Sequence, residues 1–141
     1  MSPMQQMLLG VGASTKATYV DDIFSTYLFK GNATARSINN AVDLSSEGGM
    51  VWLKNRDGAF NHTLFDTVRG TAKIIRSSTN GAETSGGQTL TAFNNNGFTL
   101  GTDSMVNSNN DETASWSFRK APGFFDVVTY TGNGASGGRT I

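Results

Sequence analysis

An all-β fold is the expectation from three observations. The first is composition: of 141 residues, 37% are hydrophobic and 16% charged, with 17 glycines and two prolines. Ser, Thr and Asn fill the large neutral polar share, which suits short strands joined by polar turns, whereas long helices draw on Ala, Leu, Glu and Lys. The second is a series of about eight short apolar or alternating runs at regular spacing, each of strand length. The third is the punctuation between them by Gly and Asn steps that favour tight turns. Together they predict a two-sheet jelly-roll sandwich preceded by a short N-terminal anchor, helical or extended. The chain divides accordingly into an anchor segment (1–24), a sandwich domain (25–124) and a final strand or start of a second repeat (125–141).

The N-terminal segment differs from the rest. Ser2-Pro3-Met4-Gln5 has the form of a capping box, with Ser at the N-cap, Pro at the first helical position and Gln at the third. Met4, Met7, Leu8 and Val11 then recur at helical spacing, joined by Leu9, and Gly10 and Gly12 end the run. Two turns of helix are not stable alone in water, so this apolar face must dock. It packs either on its own domain or on a partner chain. The polar stretch from Gly12 to Thr18 separates it from the remainder and favours the partner.

From Ile23 onward the runs read as strands. Phe24 to Phe29 is aromatic and β-branched and breaks at Lys30-Gly31-Asn32. Met50-Val51-Trp52-Leu53 is continuously apolar, as for a strand covered on both faces. Thr63 to Phe65 and Lys73 to Arg76 follow, with Gly70 between them. Thr89 to Phe93 and Phe98 to Leu100 flank Asn94-Asn95-Asn96-Gly97, a hairpin turn. Residues 114 to 119 alternate, so that Ala114, Trp116 and Phe118 are expected in the core and Ser115, Ser117 and Arg119 in water. Trp52, Leu53, Phe65, Ile74 and Phe98 complete the expected core. Phe124 to Tyr130 is expected as the last long strand. Its surroundings echo the first: Phe24-x4-Phe29-Lys-Gly31-Asn32 with Arg36-Ser-Ile38 can be laid on Phe125-x4-Tyr130-Thr-Gly132-Asn133 with Arg139-Thr-Ile141.

Several functions find no support in the residues. Eleven basic residues balance eleven acidic ones, and no cluster of either sign offers a footprint for nucleic acid or an anionic membrane. No cysteine is present and His62 is the single histidine, which excludes thiolate and multi-histidine metal sites and a Cys nucleophile. Apolar runs are far shorter than a membrane span, and the N-terminus lacks the basic start of a secretory signal. No strand carries carboxylates at the alternate positions a glycosidase pair needs. Glu47, Asp57 and Asp66 fall at strand ends or turns, where capping is their common role. His62 has no nucleophile motif near it. The expectation is therefore a protein without catalytic residues, cofactor or resident metal. Binding remains open. Phe60 is a candidate exposed ring, and the oxygen-rich loop from Asp103 to Glu112, with Asn107, Asn109 and Asp111, is a candidate ligand loop of the kind that holds calcium, although a solvated turn is the favoured reading of it.

Six stretches in combination resemble a known group. They are Met4-Gln-Gln-Met7-Leu8-Leu9-Gly10-Val11-Gly12, Asp22-Ile-Phe24-Ser-Thr26-Tyr27-Leu28, Ser46 to Arg56, Leu64 to Gly70, Phe93-Asn94-x-x-Gly97-Phe98-Thr99-Leu100-Gly101, and Trp116 to Val127. Together they resemble tail-fibre and tail-associated virion proteins of tailed bacteriophages that carry concanavalin A-like (laminin-G-like) modules. The resemblance covers nearly the whole chain and brings no catalytic residues. It implies a structural virion protein: the virion-proximal part of a tail fibre, or a small tail-attached protein, located in the phage tail. Other tail proteins would be its partners through residues 1–24, by way of Met4, Met7, Leu8, Leu9 and Val11, and the fibre resemblance implies a homotrimer. The alternative is a lectin-like module that contacts a host surface glycan.

Overall fold

Aromatic and β-branched residues dominate the longer strands, and single helical turns fill the gaps between them. In the computed structural model, which describes residues 17–134, nine strands and three one-turn helices follow in order. They are α1 (Val20–Ile23), β1 (Phe24–Lys30), β2 (Arg36–Asn39), α2 (Leu44–Glu47), β3 (Gly49–Asn55), β4 (Thr63–Asp66), β5 (Lys73–Ile74), β6 (Thr84–Ser85), β7 (Leu90–Asn94), β8 (Gly97–Leu100), α3 (Ser104–Asn107) and β9 (Glu112–Arg119). All strand pairs are antiparallel. One sheet has the order β1-β9-β3-β4, a second β2-β8-β7, and β5 and β6 form a small third ladder.

Buried side chains from both larger sheets meet in one cluster. Phe29, Val51, Leu53 and Phe65 come from the first sheet, and Ile38, Leu90, Phe98 and Leu100 from the second. Leu44 and Val106 add apolar plugs from α2 and α3. Asp43 and Asp103 start these two turns by accepting main-chain N–H groups, from Ser46 at 3.0 Å and Met105 at 2.8 Å respectively. The molecule is thus all-β and sandwich-like, with few and short helices. Close backbone approach explains one glycine in particular. Gly97 (φ 145°) opens β8, and a Cβ there would lie 2.0 Å from the Ile38 carbonyl oxygen. The β7–β8 hairpin turns through Asn95 and Asn96, and the Asn96 carbonyl accepts from the Asn40 and Ala41 amides, locking the turn to the end of β2.

The structure departs from the sequence expectation in β9. Ser115 and Ser117 are fully buried and face the second sheet, while Trp116 and Phe118 are half-buried on the opposite face. The expected register is therefore off by one, and Trp52 lies outward with Trp116 because the two are paired across β3 and β9. Small polar groups are tolerated inside because they are bonded: Ser117 Oγ accepts from Asn40 Nδ2 at 2.8 Å, and Ser115 Oγ donates to the Tyr27 carbonyl at 3.1 Å. Leu53, Phe65, Ile74 and Phe98 do occupy the core as expected.

A second departure concerns Phe124 to Tyr130, which forms no strand; only an isolated bridge joins Ala121 to Phe125. Gly123, at φ 72°, turns the chain back after β9, and the apolar residues beyond it have an outer sheet face to cover instead of a strand to pair with. The expected helix at Met4 to Val11 and the Arg139-Thr140-Ile141 part of the echo lie outside the described residues.

Candidate functional site

The outer face of the four-stranded sheet is the most distinctive surface among the described residues. Strand pairing sets its composition row by row. Phe24, Phe118 and Met50 form one row, and Thr26, Trp116, Trp52 and Leu64 the next. Leu28, Ala114 and Lys54 form the third. The Phe24 and Phe118 rings are 5.0 Å apart and tilted by 52°, and Trp52 and Trp116 are 5.5 Å apart and tilted by 56°. Both spacings fall in the range of favourable aromatic pairs. His62 closes one side: its Nδ1 accepts from Trp52 Nε1 at 2.9 Å. This satisfies the indole donor while its ring stays half-buried.

The segment after β9 covers part of this face. Phe125 stacks on Phe118 at 5.2 Å. Val127 to Tyr130 then wall a cleft of about 550 Å³ whose other sides are Met50, Leu64 and Ile75, with Asp66, Arg69 and Glu83 at its polar end. Arg69 is held by the buried Asp66 carboxylate, reaches Glu83 at 3.3 Å and donates to the Leu64 carbonyl. Asp66 also accepts from the Val68 and Arg69 amides, so it caps a turn, the role the sequence suggested. Lys120 and Asp126 pair at 3.1 Å across the start of the covering segment. The Lys120 ammonium, with the Val127 amide, holds the Asp126 carboxyl below its ordinary value.

The residues of the candidate ligand loop are brought near one another at one end of the molecule, and most are already committed. Asn107 is fully buried. Its Nδ2 donates to the Thr34 and Gly101 carbonyls at 2.7 and 2.9 Å, and its Oδ1 accepts from the Asn32 amide at 3.1 Å. It is a staple between three loops. Asp111 accepts from Asn55 Nδ2 at 2.8 Å; that bond, with a further one from Ser108, lowers its pKa. Asp57 accepts from the Glu112 amide at 2.7 Å, tying the turn after β3 to the start of β9. Asn109 is exposed in the turn beside Asn110, which has φ 66°. Phe60 is half-buried and its carbonyl accepts from Lys54 Nζ at 2.8 Å. Among the described residues no three of His, Asp and Glu gather as a metal-binding group. The expected anchor residues Met4, Met7, Leu8, Leu9 and Val11 lie outside the described residues.

Sequence reasoning missed the aromatic face, although one signal pointed to it. The run Met50-Val51-Trp52-Leu53 is apolar at both parities, so the sheet containing it carries apolar groups on two faces. Pairing of β3 with β9 then puts Trp116 on the same face as Trp52.

Residues 20–141 match the family described as Domain of unknown function (DUF7483), and the chain belongs to that family. No curated protein and no solved structure matches it.

Proposed function

We propose that the chain is a non-catalytic structural protein of a phage tail. It would anchor through residues 1–24 to other tail proteins and serve as a β-sandwich spacer, its strands read as a jelly roll of the concanavalin A/laminin-G kind. The observation that carries this reading is how the polar and apolar groups are spent. Asn107, Asp66, Asp57 and Asp111 are all bonded into the framework. The apolar surplus instead lies on the outer face of a sheet. That is the economy of an assembly module, which needs a stiff body and a contact face. Deletion of residues 1–18 tests the anchor. The shortened protein should keep its thermal unfolding transition and lose co-purification with tail particles. Normal incorporation, or failure to fold, would sink the anchor reading.

The lectin-like alternative draws on one observation, the half-open Trp52–Trp116 pair. Indole faces are suited to stack on sugar rings. Glycan-array binding lost in Trp116→Ala would favour it over the spacer reading.

A further inference from the structure

An unpaired sheet edge is a row of free main-chain donors and acceptors, and proteins usually blunt it. The two larger sheets have four edges: β1, β4, β2 and β7. β4 and β2 are four residues each, and β4 is extended by a bridge from Leu64 to Ile75. β7 is broken in register between Leu90 and Ala92. β1 is different. It runs for seven residues without Gly, Pro or bulge, in unbroken register with β9 on one side. On its other side no strand pairs with it among the described residues. Leu28 is 57% and Tyr27 39% exposed.

We propose that the edge of β1 pairs with β1 of a second copy of this chain, antiparallel, about a two-fold axis at Thr26. The occupant and the register follow from complementarity. Phe24, Thr26, Leu28 and Lys30 lie on the outer face, since they pair with Phe118, Trp116, Ala114 and Glu112. Continuing both faces across the contact requires these positions to lie opposite one another. With Thr26 opposite Thr26, Phe24 meets Leu28 of the second copy, twice. The acidic pair Asp21 and Asp22, just before β1, then approaches Lys30 of the second copy, also twice. An axis at Tyr27 would set Lys30 against Phe24, and one at Leu28 would set it against Thr26. The aromatic rows of the two copies become one band across the joined sheets. A two-fold contact is self-complementary and closes at two copies. It stands apart from the three-fold association that the fibre resemblance implies, so it does not rest on the tail-protein reading.

The test uses the full chain in sedimentation equilibrium. The expected result is a dimer whose dissociation constant rises at least tenfold in Leu28→Lys, with the circular dichroism spectrum unchanged. The chain has no cysteine, so Thr26→Cys introduces a lone thiol. Opposed residues in an antiparallel pair are about 4.5–5.5 Å apart between Cα atoms, within reach of a disulfide. Mild oxidation should link Thr26→Cys into a covalent dimer, while Tyr27→Cys links poorly. A monomeric or trimeric full chain, or a dimer indifferent to Leu28→Lys, would overturn the contact. Preferential linking through position 27 would overturn the axis.

Discussion

The two faces of the four-stranded sheet use opposite chemistry. The inner face of β9 carries Thr113, Ser115 and Ser117, all fully buried. Its outer face carries Trp116 and Phe118, which remain half-open. Burial here follows position and bonding, and side-chain hydropathy is subordinate to both. The inner face has large apolar partners in Val51, Leu53 and Phe65, so small residues on β9 leave room for Phe98 from the facing sheet. The sharpest way to break this comparison is a pair of truncations. Phe98→Ala should cost about 3–5 kcal/mol, the range for an enclosed aromatic that leaves a cavity. Trp116→Ala should cost only about 1–2 kcal/mol, because its ring keeps contact with water and leaves no enclosed void. Urea unfolding of the two variants measures the gap, and equal costs would put Trp116 inside.

A smaller effect probes why serine is accepted inside. Ser117 Oγ is the hydrogen-bond partner of Asn40 Nδ2. Asn40 in turn accepts from the Val42 amide and so shapes the turn after β2. Ser117→Ala should cost about 1–3 kcal/mol by stranding that amide donor. In an Asn40→Ala background, which itself frees the Val42 amide, Ser117→Ala should cost less than it does alone, because the Nδ2 donor it would strand is already gone. Additive losses in this double-mutant cycle would mean that the bond contributes nothing to the inner face.

Much of the strand layout is legible in the residues, and its sidedness is not. Phe24 to Phe29, Met50 to Leu53, Thr63 to Phe65 and Phe98 to Leu100 fall within strands, and Asn94 to Gly97 makes the hairpin, because aromatic and β-branched runs broken by Asn-Gly steps leave the backbone few other choices. The alternation at 114–119 shows that two faces exist. Which of them is inner depends on the pairing of β9 with β3, a contact between residues about sixty positions apart in sequence that local pattern does not encode. Phe124 to Tyr130 misled for a related reason: an apolar run covers a sheet face as well as it fills a strand. At the loop end, Asn107 and Asp111 read locally as free oxygen ligands. Asn107 is tied to residues far away in the chain, Asn32 and Thr34, so its structural commitment was invisible locally.

The inner face also carries two hydroxyls that buy nothing. Thr63 and Thr113 are buried, and their Oγ1 atoms have no hydrogen-bond partner among the described residues. An unbonded buried hydroxyl is costly, so a methyl in its place should help. Thr113→Val should raise stability by about 1 kcal/mol. The same exchange at the exposed Thr79, in a turn away from the sheets, should leave it nearly unchanged. Differential scanning calorimetry reads both, and a destabilised Thr113→Val would point to a bonded hydroxyl at that site.

The smallest effect concerns the cover over the outer face, and both tryptophans of the chain report on it. Trp52 and Trp116 lie on that face, so emission from the protein monitors it directly. The covering segment is latched by Lys120 and Asp126 at 3.1 Å, both largely exposed. Asp126 is held below the ordinary carboxylate pKa, first by the hydrogen bond from Lys120 and then by the Val127 amide. A carboxylate with a lowered folded pKa contributes stability that is full above its unfolded pKa. That stability is lost as pH falls through the lowered folded value. Asp43, lowered chiefly by the Ser46 amide, and Asp111, lowered chiefly by Asn55, act with the same sign but lie at turns rather than on the covering segment. Acidification below the carboxylate range should therefore give a slight red shift of tryptophan emission before the sheet unfolds. Asp126→Asn should show that shift already at neutral pH, and 1 M salt should reproduce it in the unaltered protein by screening an exposed pair. An Asp126→Asn protein whose emission matches the parent at every pH would mean that the Phe125–Phe118 stack alone holds the segment against the sheet.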